Sequence, residues 1–249
     1  MQKPKVGCQL IVFGRRSAED LPAVLREVAL AGYDGIEAGN LFDSHDPALV
    51  RDLLAETGLA VAGMHTGYGD CKDAAKVEAA IEYLHAVGAK YYIISGVAEG
   101  EGIEKYERAA ETFNNLGALL KEEGITFCYH NHAFEFEAFD GVKGIHRLAE
   151  LLDPAVAKLC VDVYWVTIGG EAPAEFISRY ADRVPFYHFK DGAPGQFIEL
   201  GLGTVDLRGA AQAALSAGAQ WIVAEQDTTS LPHPISISLS RGFLRGLGI

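Results

Sequence analysis

Five times in this chain an amphipathic segment ends at a glycine and an apolar, β-like segment begins within a residue or two: LAGYDGIE, ETGLAVAGMH, AVGAKYYIIS, EEGITFCYH and SAGAQWIVAE. Gly32, Gly58, Gly88, Gly124 and Gly218 mark these junctions, where a helix ends best on a residue that tolerates left-handed backbone. Helix starts are legible too: Ser17 precedes AEDL, and Asp46 precedes Pro47. The pattern predicts strands over 5–12, 34–38, 59–64, 90–95, 125–130, 157–163, 184–189 and 220–225. Helices are predicted over 18–31, 47–57, 74–87, 102–123, 143–152, 172–182, 207–217 and 235–246. Strict alternation implies parallel strands joined by right-handed crossovers. Eight such units in 249 residues have the size of a closed α/β barrel of the (β/α)8 kind, one domain over 1–249. An open doubly wound sheet is the alternative, but it brings a glycine-rich nucleotide turn after an early strand. Here the first strand runs into VFGRRS, and GLGTVD at 201–206 follows no clear strand. The longest irregular piece, 190–206, follows the seventh strand, on the face where barrel active sites sit.

Composition narrows the function. With 34 acidic against 21 basic residues the net charge is −13, a poor match for nucleic acid or an anionic membrane and a good one for small-molecule chemistry. Cys8, Cys71, Cys128 and Cys160 lie far apart with no CxxC pair. No disulfide framework is implied, which points to a reducing compartment, the cytoplasm. The N-terminal MQKPKVGCQLIVFGRR reads as a first strand rather than a signal peptide, and no run approaches membrane-spanning length.

Polar residues of one kind gather at the ends of the later strands. The fifth strand ends in YHNH, with His130 and His132. The sixth carries Asp162, the seventh His188, Lys190 and Asp191, and the eighth Glu225 and Asp227. Side chains alternate along a strand, and one choice of phase points His130, Asp162, His188 and Glu225 into the barrel mouth. Two imidazoles and two carboxylates suit Mn²⁺, Zn²⁺, Co²⁺ or Fe²⁺ better than Ca²⁺ or an all-oxygen Mg²⁺ site. The competing structural reading makes Asp162 and Glu225 buried partners of Lys190 and an arginine.

These motifs, YHNHAFEFE, CVDVYWV, YHFKDG, ELGLGTVD and VAEQD, resemble in content and order those of the xylose isomerase-like TIM-barrel superfamily. The resemblance is to its sugar phosphate isomerase/epimerase branch, which holds the tagatose/psicose 3-epimerases and inosose dehydratases. YDGIEAGN and VAGMHTG extend the likeness over essentially the whole chain. The resemblance implies one divalent ion, most often Mn²⁺, with Zn²⁺, Co²⁺, Fe²⁺ or Mg²⁺ as alternatives. It implies a small carbohydrate substrate, no nucleic acid or membrane partner, and a barrel that pairs as a homodimer. The family's ligands run Glu, Asp, His, Glu. Asp162, His188 and Glu225 match the last three, and His130 stands where the epimerases have the first glutamate. Two-carboxylate epimerisation is thereby placed in question. Either His130 is both ligand and base, or a nearby group moves the proton, with Glu135 the candidate and Glu137 behind it.

The implied function is a metal-dependent sugar isomerase or epimerase that abstracts a proton α to a carbonyl, with Glu225, Glu135, Lys190 and His130 as its catalytic groups. The alternative is a dehydratase or lyase of the inosose dehydratase kind. More distant alternatives are an endonuclease IV-like phosphodiesterase and a non-catalytic sugar-binding barrel. Lys190 either stabilises an enediolate oxygen or pairs with Asp191 or Glu225. His65 and Glu37, at the ends of the third and second strands, either touch substrate hydroxyls or are hydrogen-bonded rim residues. His132 either orients a ligand or contacts substrate, and Trp165 and Phe134 either wall the sugar carbons or pack.

Overall fold

A computed structural model describes residues 3–39 and 44–249. Eight parallel strands close a barrel: β1 (Lys5–Gln9), β2 (Gly35–Ala38), β3 (Ala60–Gly67), β4 (Tyr91–Ser95), β5 (Thr126–His130), β6 (Ala157–Asp162), β7 (Phe186–Phe189) and β8 (Trp221–Ala224). Each strand pairs with the next in sequence, and β8 closes on β1. The outer helices are α1 (Leu21–Ala31), α2 (Pro47–Thr57), α3 (Ala74–Val87), α4 (Glu104–Glu122), α5 (Gly144–Leu151), α6 (Pro173–Arg179), α7 (Leu207–Ser216) and α8 (His233–Gly246). All five junction glycines take positive φ. Among the described residues no helix is long and apolar enough to cross a membrane.

Among the differences from expectation, three have clear local reasons. The first strand stops at Gln9, not residue 12, because the Gln9 side chain accepts the Ile11 N–H at 2.8 Å and turns the chain into a 3-10 helix over Leu10–Phe13. The apolar run continues because Leu10, Val12 and Phe13 are buried in that turn. Ser17 does not cap α1. Pro22 fits only in a first turn, since it has no N–H to give, so α1 starts at Leu21 with Asp20 as its cap. Between β5 and α5 lies a small hairpin, Ala138–Phe139 with Val142–Lys143. Its turn residues Asp140 and Gly141 both have positive φ, the signature of a primed two-residue turn.

Barrel phase is fixed from within. Cys128, Cys160, Phe186 and Val223 belong to the small apolar cluster that fills the interior. Two residues further along their strands stand His130, Asp162, His188 and Glu225, which therefore face the same way, one layer higher. On β3 the phase changes: the pairing with β2 slips between Ile36 and Glu37, so that Glu37 meets Gly63. Such a bulge re-aims the side chains beyond it. Ala62, the extra residue, and His65 beyond it can then both turn inward.

Candidate metal centre at the mouth of the barrel

His130 and Asp162 end adjacent strands, and register pairs Asp162 with His188 and His188 with Val223. Asn131 clamps the first junction: its amide donates to the Asp162 carbonyl at 3.2 Å and accepts the Asp162 N–H at 3.1 Å. Asp162 also caps a short helix, Val163–Ile168, with Oδ1 accepting the Trp165 N–H at 2.9 Å. That fixes the carboxylate and leaves Oδ2 for the mouth. His188 donates from Nε2 to Glu37 Oε2 at 2.7 Å, and its Nδ1 lies against Glu225 Oε2. His130 has Nδ1 facing Cys160 Sγ at 3.9 Å.

One donor atom from each of His130, Asp162, His188 and Glu225 can be chosen so that all lie within 4.8 Å of one another. The first three residues are fully buried and Glu225 is 8% exposed. His130 Nε2 and Asp162 Oδ2 are buried with no hydrogen-bond partner, while His188 Nδ1 and Glu225 Oε2, also outside any hydrogen bond, face each other as an ion pair. A lone unsatisfied buried group costs about 1–3 kcal/mol, so His130 Nε2 and Asp162 Oδ2 together forfeit roughly 2–6 kcal/mol, a large share of a domain's stability. A divalent ion removes that penalty, because imidazole nitrogens and carboxylate oxygens are its donors. The residues present fit such an ion.

Burial and neighbouring charges set the charge state of each donor. Burial, reinforced by His188 and His65, holds His130 well below the usual imidazole range, so it is a neutral ligand. Burial alone would raise Glu225, but Lys190 and His188 outweigh it and keep the carboxylate well below its ordinary range. Burial raises Asp162 to about 7, against the pull of Lys190. Burial would lower His188, but Cys160, Glu37 and Glu225 raise it well above its ordinary value.

Other expected site residues fall in different places. Lys190 is buried, and its Nζ donates to Glu225 Oε1 at 3.2 Å and to Asp227 Oδ1 at 2.6 Å. It does not pair with Asp191. Its ammonium sits 5.0 Å from the Trp165 ring and 4.5 Å from that of Phe197, within cation–π range. His132 lies beside His130 and Trp165, and Phe134 stacks on His132 while remaining 43% exposed at the rim. Burial lowers His132 to about 4, so it too is neutral.

Two expectations need correction. Glu37 does not face substrate: it is fully buried behind the imidazoles, bonded to His188, to His65 Nδ1 at 3.3 Å and to Gln9 Nε2 at 3.3 Å. Glu135 is not a proton-transfer group of the site. Its carboxyl is fully buried, accepts Tyr129 Oη at 2.6 Å and the His132 N–H at 2.9 Å, and so braces the loop behind the barrel wall. Glu137 points to solvent. His65 does stand at the site, beside a cavity of about 520 Å³ lined also by Gln9, Thr66, Asp70 and Ser95.

The sequence reading gave no role to Gln9 or Asn131 and offered Asp191 only as a partner of Lys190. Asp191 turns away from Lys190 and gathers the loop that follows it. Its carboxylate accepts four backbone N–H groups, from Gly192 at 2.8 Å, Gly201 at 2.9 Å, Gly203 at 3.0 Å and Val205 at 3.1 Å. GLGTVD is therefore the wrapping for one carboxylate, and an added Cβ at Gly203 would lie 2.2 Å from Asp191 Oδ1. Asparagine between two strand-end histidines, and glycines spaced around a lone aspartate, were the available signals.

Comparison with known proteins places these features in a family. The xylose isomerase-like TIM barrel family matches residues 25–246. An inosose dehydratase of Geobacillus kaustophilus is 30% identical over 191 residues, 68% of this chain and 61% of that protein. The chain thus spans about three fifths of the length of the curated relatives it matches. Among solved structures, a sugar phosphate isomerase/epimerase from Parabacteroides distasonis superposes with a TM-score of 0.86 at 20% identity, over 98% of this chain and 94% of the other. The D-allulose 3-epimerase of a Methylomonas species, solved in complex with D-allulose, superposes with a TM-score of 0.78 at 20% identity, over 99% and 98%. From the matched span, the closed eight-stranded barrel and the polar residues ranked at its mouth, the chain belongs to the xylose isomerase-like TIM-barrel family.

Proposed function

We propose that this chain is a divalent-metal-dependent sugar isomerase or epimerase that removes the proton α to the carbonyl of a keto-sugar or keto-polyol. The observation that carries the reading is the set of four buried donor residues converging from β5 to β8, two of which keep an atom with no partner. His130, Asp162, His188 and Glu225 would hold the ion. When bound it supplies Lewis acidity, polarising a carbonyl so that the neighbouring C–H becomes acidic.

The remaining work falls to the side chains. Glu225 is ionised and takes the proton. Lys190, kept charged because Glu225, Asp162 and Asp227 outweigh the lowering effect of burial, stabilises the oxygen that gains charge and can return a proton. His130 serves as ligand and not as base, since Nδ1 is turned to Cys160 and only Nε2 faces the centre. One carboxylate is then in place for proton transfer, which favours a shift along one face of the substrate. Trp165, His132 and Phe134 offer an aromatic wall. The substrate is a small carbohydrate, taken without nucleic acid or membrane.

A second reading, in which Lys190 beside Glu225 would protonate a departing β-hydroxyl, is favoured by the dehydratase names of the curated relatives. Incubating metal-loaded protein in D2O with a panel of keto-sugars and inososes separates the two. Deuterium at the α carbon with an unchanged formula supports isomerisation or epimerisation. Loss of one water supports the lyase. Neither exchange nor conversion anywhere in the panel, in protein carrying stoichiometric metal, would refute both.

A further inference from the structure

We infer that the metal centre is wider than the four-residue set: His65 is a further donor, and Glu37 is the positioning residue that aims both His65 and His188 at the ion. The inference rests on the metal reading above and extends it to a residue that the strand-end pattern of β5 to β8 does not include.

Three observations carry it. His65, His130 and His188 form a second group whose donor nitrogens lie within 4.8 Å of one another, sharing two imidazoles with the first. His65 Nε2 is buried and has no hydrogen-bond partner, as is true of His130 Nε2 and Asp162 Oδ2. Its other nitrogen is occupied, because Nδ1 bonds Glu37 Oε1 at 3.3 Å while the second oxygen of the same carboxylate takes His188 Nε2 at 2.7 Å. A carboxylate behind a histidine fixes which ring nitrogen carries the proton and turns the other toward a metal. Here one carboxylate does so for two rings at once. Gln9 anchors it from below, donating to Glu37 Oε1 at 3.3 Å.

The five donors do not all fall within a single 4.8 Å group. His65 joins through the imidazoles it shares, and the β3 bulge beside Glu37 is what brings it there. A set of three imidazoles and two carboxylates is richer in nitrogen than one glutamate-led set would be. It shifts preference toward Zn²⁺, Co²⁺ and Fe²⁺ and away from Mg²⁺ and Mn²⁺. His65 also borders the 520 Å³ cavity, so the rival role is a substrate contact with no part in holding the ion.

The test is metal binding, read without turnover. Chelator-stripped wild type, His65→Ala, Glu37→Gln and Asp162→Ala are titrated with Zn²⁺, Co²⁺ and Mn²⁺, and the Zn²⁺ forms are measured by X-ray absorption to count imidazoles. The expected result is three imidazoles in wild type and two in His65→Ala. Zn²⁺ and Co²⁺ affinity should fall about 10–100-fold in both His65→Ala and Glu37→Gln, with Mn²⁺ affinity reduced less. Wild-type affinity and imidazole count in His65→Ala would overturn the inference and leave the four-residue centre standing. No binding of any ion by wild type would overturn the metal reading itself.

Discussion

Glu135 lends itself to a sharp thermodynamic test. Burial raises its carboxyl from 4.5 to about 7, despite the hydrogen bonds from Tyr129 and the His132 backbone that favour the charged form. A folded-state value above the unfolded one means that the native protein holds this proton more tightly. Its contribution to stability is therefore fully present below about pH 4.5, declines as pH rises, and is lost above about pH 7. Each pH unit of that interval is worth about 1.4 kcal/mol, so the whole amounts to about 3 kcal/mol. Glutamine reproduces the protonated acid: its oxygen can accept the His132 N–H and its amide can donate to Tyr129 Oη. Glu135→Gln should then match wild type at pH 4.5 and exceed it by about 3 kcal/mol at pH 8. Urea unfolding of both proteins at pH 4.5, 6, 7 and 8 checks this, and groups that titrate alike in both cancel in the difference. A difference that does not change with pH would show that Glu135 is ionised in the native protein and that the loop is held by charge. Glu135→Ala, which strands both buried donors, should cost about 2–4 kcal/mol at every pH.

Three further outcomes follow from the site. Asp162→Ala should abolish metal retention, read as metal content by mass spectrometry against a near-stoichiometric wild type, and should lose about 1 kcal/mol of capping energy besides. Lys190→Met, which keeps the apolar stem within its aromatic surroundings but leaves Glu225 and Asp227 without their cation, should lower turnover by about 100-fold or more while metal content is retained. Asp191→Ala should release the four backbone N–H groups it binds, seen as faster hydrogen exchange at Gly201, Gly203 and Val205, at a cost of about 2–4 kcal/mol.

The barrel was legible because its signals are local and repeated. Helix ends at Gly32, Gly58 and Gly88 depend only on backbone chirality, and alternation follows from strand geometry. The ligand set could be read from β5 to β8 because regular alternation carries phase along a strand without knowledge of the fold. His65 escaped the same logic, since a bulge in β3 reverses its phase, and the only mark it leaves in the sequence is Gly63 within the strand. Glu37 and Glu135 were misread for a shared reason. A glutamate near a site looks the same in sequence whether its partner is a substrate or a buried tyrosine, and only long-range contacts decide. Gln9 reads as one polar residue in an apolar run, yet it both stops β1 and anchors Glu37. Asp140 and Gly141 carry a hairpin signal that sequence alone can supply, since both residue types tolerate positive φ.

The loop gathered by Asp191 has a bearing on how this barrel can change. Its shape is set at the two ends, where one carboxylate holds Gly192 and the 201–205 segment. Between them Asp191–Ala193 and Gln196–Ile198 form an antiparallel hairpin, whose Phe197 lies over Lys190 and against Trp165 while residues 194–198 give no hydrogen bond to the Asp191 carboxylate. Substitutions at the tip can therefore alter the roof of the site while the scaffold beneath keeps its form. Selection or a directed library has there a short, separable cassette in which new substrate preferences can be sampled at little risk to folding.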